Sequence, residues 1–322
     1  MLRGTLPRQA VMQPQSVSDP AGLRRLANLF VALAVTTWVQ IAFGALVRAK
    51  KAGLACPDWP LCHGALVPDL RLTGVIYEYG HRVFALLVSA LFVACALQAR
   101  RHAQAWPRVS KLVWSGAGLL LVQIVFGGLT VLIVHRGDGD PRPATWTVAI
   151  HLILGNLFAA LAVVGALALR RAPATSPGRV PAELWGWTVL LFAQFVLGGA
   201  IAGTIAGLVC TEFPTCHGGI WFPTFEGTIG WQVLHRLNAY ALTLVAVVAV
   251  ATWKGRPTLR KVAWVLLGLV LAQATVGAVN IFSYLHAAVT TAHSLLAALL
   301  FSATAAAWHL ARSGDQGHAA GE

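Results

Sequence analysis

Four histidines, His81, His151, His235 and His293, stand at matching depths in a chain that is otherwise strongly apolar. Glu78 precedes His81 by three positions, Arg82 follows it, and Arg236 follows His235 in the same way. A neutral imidazole offers one lone pair. Two imidazoles on different helices can therefore take the two axial positions of a haem iron, a site that bundle cores commonly hold. Zinc would want a third or fourth protein ligand, and only Glu78 is close in sequence. The four histidines predict bis-histidine haem ligation in at least one of two sites.

Two polar loops accompany them. CPDWPLCHG runs from Cys56 to Gly64, and CTEFPTCHGG from Cys210 to Gly219. Cys56 and Cys210 are 154 positions apart, and the same offset relates Cys62 to Cys216, His63 to His217, Gln40 to Gln194, Gly44 to Gly198, His81 to His235 and Arg82 to Arg236. A shared offset at seven positions indicates two homologous halves. A finer repeat lies inside each half: Gln is followed four residues later by Gly at Gln40 and Gly44, Gln123 and Gly127, Gln194 and Gly198, and Gln273 and Gly277. These pairs fit either close helix packing or a space for a flat ligand with the amide at its edge.

The elements that carry these residues follow from composition. With 57% hydrophobic and 11% charged residues among 322, the chain is too apolar for a soluble domain. A helix needs about 20 apolar residues to cross a bilayer. Eight such runs are expected near 27–47, 74–98, 112–134, 145–169, 184–207, 229–252, 262–283 and 288–310. The fold class is all-α integral membrane protein, with eight transmembrane helices arranged as two homologous four-helix bundles. Residues 1–26 form an N-terminal tail, 27–171 the first half, 172–183 a linker, 184–311 the second half and 312–322 a C-terminal tail.

The net charge of +13 reports orientation, with no nucleic-acid partner needed. Sixteen Lys and Arg fall in the tails and in alternate loops, against six in the intervening loops (Arg48, Lys50, Lys51, Arg71, Arg136, Arg142). By the positive-inside rule both termini are cytoplasmic, in a bacterial-type plasma membrane. The cysteine loops then face the outer, oxidising side, where disulfides persist, so Cys56 is expected to pair with Cys62 and Cys210 with Cys216. Such short loops serve as a staple or as a redox switch. Cys95 falls within a span and reads as a small buried hydrophobe.

The chain resembles the haem A synthases, membrane enzymes that convert haem O into haem A for terminal oxidases. The resemblance covers nearly the whole chain. It rests on the duplicated halves, the sequence EYGHR with Glu78, His81 and Arg82, the later His151, LHR at His235, AHS at His293, and the two cysteine pairs. It implies a substrate haem O addressed by His81 and His151, and a permanent haem b ligated by His235 and His293. The implied reaction oxidises a ring methyl group to a formyl group, with electron-transfer partners, a haem O synthase and oxidase assembly factors beside membrane lipid.

Glu78 is the one carboxylate beside a histidine pair, and its counterpart by the repeat is Gln232. It is expected to be catalytic, as base or nucleophile. Arg82 and Arg236 fit haem propionates or lipid phosphates. His63 and His217 fit loop packing or a haem edge, His135 and His286 the outer span ends, and His102, His309 and His318 the cytoplasmic side. The competing readings are a dihaem b-type electron carrier, a haem chaperone and a thiol oxidoreductase.

Overall fold

A computed structural model describes residues 19–101, 107–135, 141–170, 178–204 and 206–313. Most of the expected N-terminal tail, part of the linker and nearly all of the C-terminal tail lie outside the described residues, as do His102 and His318. The helices are α1 (Pro20–Ala49), α2 (Val75–Arg100), α3 (Pro107–Leu132), α4 (Thr145–Arg170), α5 (Ala182–Gly203), α6 (Gly227–Thr252), α7 (Pro257–Phe282) and α8 (Ala287–Ser313). All eight are long and apolar enough to cross a membrane.

Most helices run a few residues past the apolar windows that the sequence marks. The ends are set by backbone chemistry as well as by hydropathy. At α1 the Asp19 side chain accepts the N–H of Gly22 at 2.7 Å, and Pro20 occupies the first turn, where its missing N–H is not needed. At α2 the chain enters through Gly74 at φ 81°, a left-handed conformation that glycine adopts without penalty. Helix α5 stops at Gly203, short of the expected 207, and a single 3-10 turn follows at Ala206–Leu208. Between α3 and α4 two short strands, β1 (Val134–His135) and β2 (Arg142–Pro143), pair antiparallel.

Each half has its own apolar core. The first joins residues such as Phe30, Phe92, Val113 and Phe158 from α1 to α4, and the second Leu184, Leu242, Leu266 and Leu300 from α5 to α8. Both cores fill the end of the helices away from the cysteine loops. Gly165 in α4 permits a close approach in the first core: a Cβ there would stand 2.6 Å from the Phe30 ring.

The two halves of the chain pack unequally. Helix α1 lies against α4 along much of its length, whereas the equivalent α5 and α8 touch little. Helix α8 instead packs on α7 and, across the halves, on α1 and α4. Long side chains bridge the wider gap between α5 and α8: Trp187 Nε1 donates to Thr304 Oγ1 and Trp308 Nε1 to Thr188 Oγ1, both at 2.8 Å. Across the halves, Trp38 Nε1 donates to Ser302 Oγ at 3.0 Å.

Candidate functional site

The fourfold Gln and His repeat becomes four face-to-face pairs. The Nε2 atoms of Gln40 and His81 are 3.3 Å apart, those of Gln123 and His151 3.3 Å, Gln194 and His235 3.2 Å, and Gln273 and His293 3.1 Å. In each case the glutamine sits on an odd-numbered helix and the histidine on its even-numbered neighbour. The glycine one turn after the glutamine lies beneath the imidazole. A Cβ at Gly44, Gly127, Gly198 or Gly277 would stand 3.0, 3.2, 3.4 or 3.2 Å from the Cε1 of its histidine. These glycines pack closely against the imidazoles.

The surrounding hydrogen bonds fix which nitrogen is bare. Gln40 Nε2 also donates to the His81 carbonyl at 3.0 Å, so it is the amide nitrogen that faces the ring. His151 directs Nδ1 to the Gln123 carbonyl at 3.1 Å, which demands a proton on Nδ1 and leaves Nε2 unprotonated. Asn238 Nδ2 donates to the Leu190 carbonyl at 2.8 Å and to Gln194 Oε1 at 2.6 Å, turning the Gln194 nitrogen toward His235. His81, His151 and His235 thus present an Nε2 lone pair, the form that binds a metal.

The rings are also brought together in the expected couples. His81 and His151 are close enough to interact electrostatically, as are His235 and His293. Nδ1 of His81, His235 and His293 is buried without a hydrogen-bond partner. These residues fit a bis-histidine haem: two imidazoles per half, on two helices, with a bare Nε2 established at His81, His151 and His235. No group of three or more His, Cys, Asp or Glu suited to a metal ion occurs among the described residues.

The loops pack over this end of the helices, and both disulfides are formed, Cys56 to Cys62 and Cys210 to Cys216. Cys95 is free and buried. Asp58 accepts the N–H groups of His63 and Gly64 at 2.7 and 2.8 Å, made convergent by positive φ at both donors. Glu212 does the same for Gly218 and Gly219 at 2.9 and 3.1 Å. The Gly64 N–H, then that of His63, holds the Asp58 carboxyl below its ordinary value, with Arg82 nearby adding to the effect. Glu212 is lowered likewise by Gly219, Thr215 and Gly218. Asp58 and Glu212 are absent from the sequence reading, although the 154-residue offset relates them and would have found them. Asn238 had no such signal, because Phe84 stands at the equivalent place.

Arg82 and Arg236 grip these loops. Arg82 donates to the carbonyls of Asp58, Leu61 and Cys56 at 2.8, 2.6 and 3.2 Å, and Arg236 to those of Thr215 and Cys210 at 2.6 and 3.2 Å. Glu78, 4% exposed, forms a 2.6 Å salt bridge with Arg82 and accepts the Cys56 N–H at 2.8 Å. His63 Nε2 bonds the Ala55 carbonyl at 2.9 Å, which is loop packing. Trp59 reaches from the first loop to α3, where a Cβ on Gly128 would stand 3.0 Å from its ring. Consecutive glycines of α3 thus seat two different rings, His151 on Gly127 and Trp59 on Gly128. His286 follows α7, beyond a turn with positive φ at Tyr284 and Leu285.

Among known proteins, the chain is similar to the "Heme A synthase" of Symbiobacterium thermophilum, with 29% identity over 279 residues, 81% of this chain and 85% of that protein. The "Heme A synthase" of Shouchella clausii is 28% identical over 87% of this chain and 94% of its own length. That of Paracoccus denitrificans is 29% identical over 88% and 86%. A family model described as cytochrome oxidase assembly protein matches residues 5–136 and 72–305, two overlapping stretches that together span most of the sequence. The chain belongs to the COX15-CtaA family of cytochrome oxidase assembly proteins.

Proposed function

We infer that the protein is a haem A synthase, an integral membrane oxidoreductase that converts haem O to haem A for oxidase assembly. The observation that carries this reading is the duplicated pair of imidazole couples, in a chain whose relatives of near full length are named for that activity. His81 and His151 hold the substrate haem in the first half. His235 and His293 hold a resident haem b in the second. The resident haem supplies one-electron redox chemistry at a buried site.

The protein's own contribution is position and charge. Each imidazole is seated on a glycine and faced by a glutamine amide, which together hold the ring in place. Trp59 ties the first disulfide loop to α3. Glu78 is the ionisable group that only the first half carries, one helical turn from His81. We assign it the role of accepting a proton released as the substrate methyl group is oxidised. The excess of Lys and Arg on alternate loops supports cytoplasmic termini and haem sites toward the outer face.

A dihaem electron carrier would share the imidazole couples. It gives no reason for a carboxylate beside one couple and an amide, Gln232, beside the other. Expression in cells that supply haem O, followed by extraction and mass analysis, separates the readings. Appearance of a formyl-bearing haem is expected. Unchanged haem O, with the protein folded in the membrane, overturns the enzyme.

A further inference from the structure

We propose that Gln40, Gln123, Gln194 and Gln273 are exchange partners for the ligand histidines: each amide competes with the haem iron for one Nε2 lone pair and eases haem release. The inference rests on the haem reading above. It comes from the orientation of the amides. For three of the four pairs an independent hydrogen bond fixes the contact as an amide N–H facing a bare imidazole nitrogen: Gln40 to the His81 carbonyl, His151 to the Gln123 carbonyl, and Asn238 to Gln194. A bare Nε2 has one lone pair, so it cannot serve an amide N–H and an iron at once.

What each amide keeps when its histidine turns to iron differs between positions. Gln40 still has the His81 carbonyl as acceptor, whereas Asn238 satisfies only the oxygen of Gln194 and leaves its amide nitrogen without another acceptor. The Gln123 and Gln273 side chains have no second partner, and their Oε1 atoms are buried and unbonded. Leaving a buried donor unsatisfied is unfavourable, so at Gln123, Gln194 and Gln273 the pull on the histidine away from iron is stronger than at Gln40. In the second half, Gln194 and Gln273 therefore oppose haem retention at His235 and His293 alike. In the first half the same device lets a converted haem leave without stranding a buried imidazole nitrogen.

The test uses purified holoprotein and the rate at which it loses haem b to excess apomyoglobin. Gln273→Leu, which cannot donate to Nε2, is expected to slow that transfer roughly fivefold, the equilibrium weight of one net hydrogen bond. Gln273→Met, of similar length and equally unable to donate, is expected to do the same, and Gln194→Leu to slow it to a similar degree. Gln273→Glu is expected to speed transfer, because a carboxylate favours a proton on Nε2 and blocks the iron. A merely space-filling glutamine would move all the variants in one direction. Unchanged or faster loss in both Gln273→Leu and Gln273→Met, or failure of both to hold haem, overturns the proposal while leaving the haem reading intact. A wild-type protein without a low-spin bis-histidine spectrum overturns both.

Discussion

Glu78 and Gln232 occupy equivalent positions, and they hold the chain in opposite senses. The carboxylate accepts the Cys56 N–H at 2.8 Å and pairs with Arg82, whereas the Gln232 amide donates to the carbonyls of Ala206 and Gly207, both at 3.0 Å. One half is closed by a charge and the other by a neutral amide, on the same helical scaffold.

Replacing Glu78 with Gln keeps the size and one acceptor but removes the charge opposite Arg82. Arg82 retains three carbonyl acceptors, so the stability cost is expected to be about 1–3 kcal/mol rather than that of a stranded ion. Haem A formation is expected to fall by at least tenfold, with haem b at His235 and His293 unchanged by its absorption spectrum. Near-normal haem A output would leave Glu78 as a loop clasp only.

The glycines beneath the rings should not tolerate a methyl group equally. At Gly44 an added Cβ would meet His81 at 3.0 Å and must displace the ring, while at Gly198 it would meet His235 at 3.4 Å, ordinary contact. Gly44→Ala is expected to cost about 1–3 kcal/mol and to depress haem O conversion. Gly198→Ala is expected to retain haem b and wild-type thermal stability. Equal loss in the two variants would contradict this geometry.

The loop carboxylates give a pH dependence with a definite sign. Asp58 and Glu212 titrate below their ordinary values of 3.8 and 4.5, because backbone N–H groups favour the charged form. The loops therefore keep this stabilisation at any pH above those values and lose it only as pH falls further, through the lowered folded-state values. Hydrogen exchange at Gly64, Gly218 and Gly219 should stay slow down to about pH 4 and accelerate, beyond its intrinsic pH dependence, only below it. Asp58→Asn should remove that acid transition from the first loop alone.

Each disulfide closes a short loop whose cysteines are six positions apart, for which chain entropy predicts a contribution of roughly 2 kcal/mol. Cys210→Ser is expected to lower the thermal midpoint modestly without loss of fold, since Arg236 still grips the Thr215 and Cys210 carbonyls. Alkylation before and after reduction should reveal four additional reactive thiols, with Cys95 protected until denaturation.

Hydropathy was enough to find eight helices, and the 154-residue repeat marked both cysteine pairs. Each of these depends on local composition or on comparing the chain with itself. The glutamine and glycine positions were visible too, but not their task. Which face of α1 meets α2, and hence that Gly44 seats His81 while Gln40 addresses its Nε2, depends on helix rotation, and an apolar run buried in lipid or protein on every side carries little amphipathic signal to set it. The sequence suggested phosphates or propionates for Arg82 and Arg236, because a cation at a span end reads as headed for an anion. Only the folded chain brought loop carbonyls within reach, more than 20 residues upstream. The placement of α8 against α1 and α4 was likewise decided by tertiary packing: two copies of one hairpin pattern can stack in several ways, and which stack forms depends on long-range contacts such as Trp38 with Ser302 that no repeat encodes.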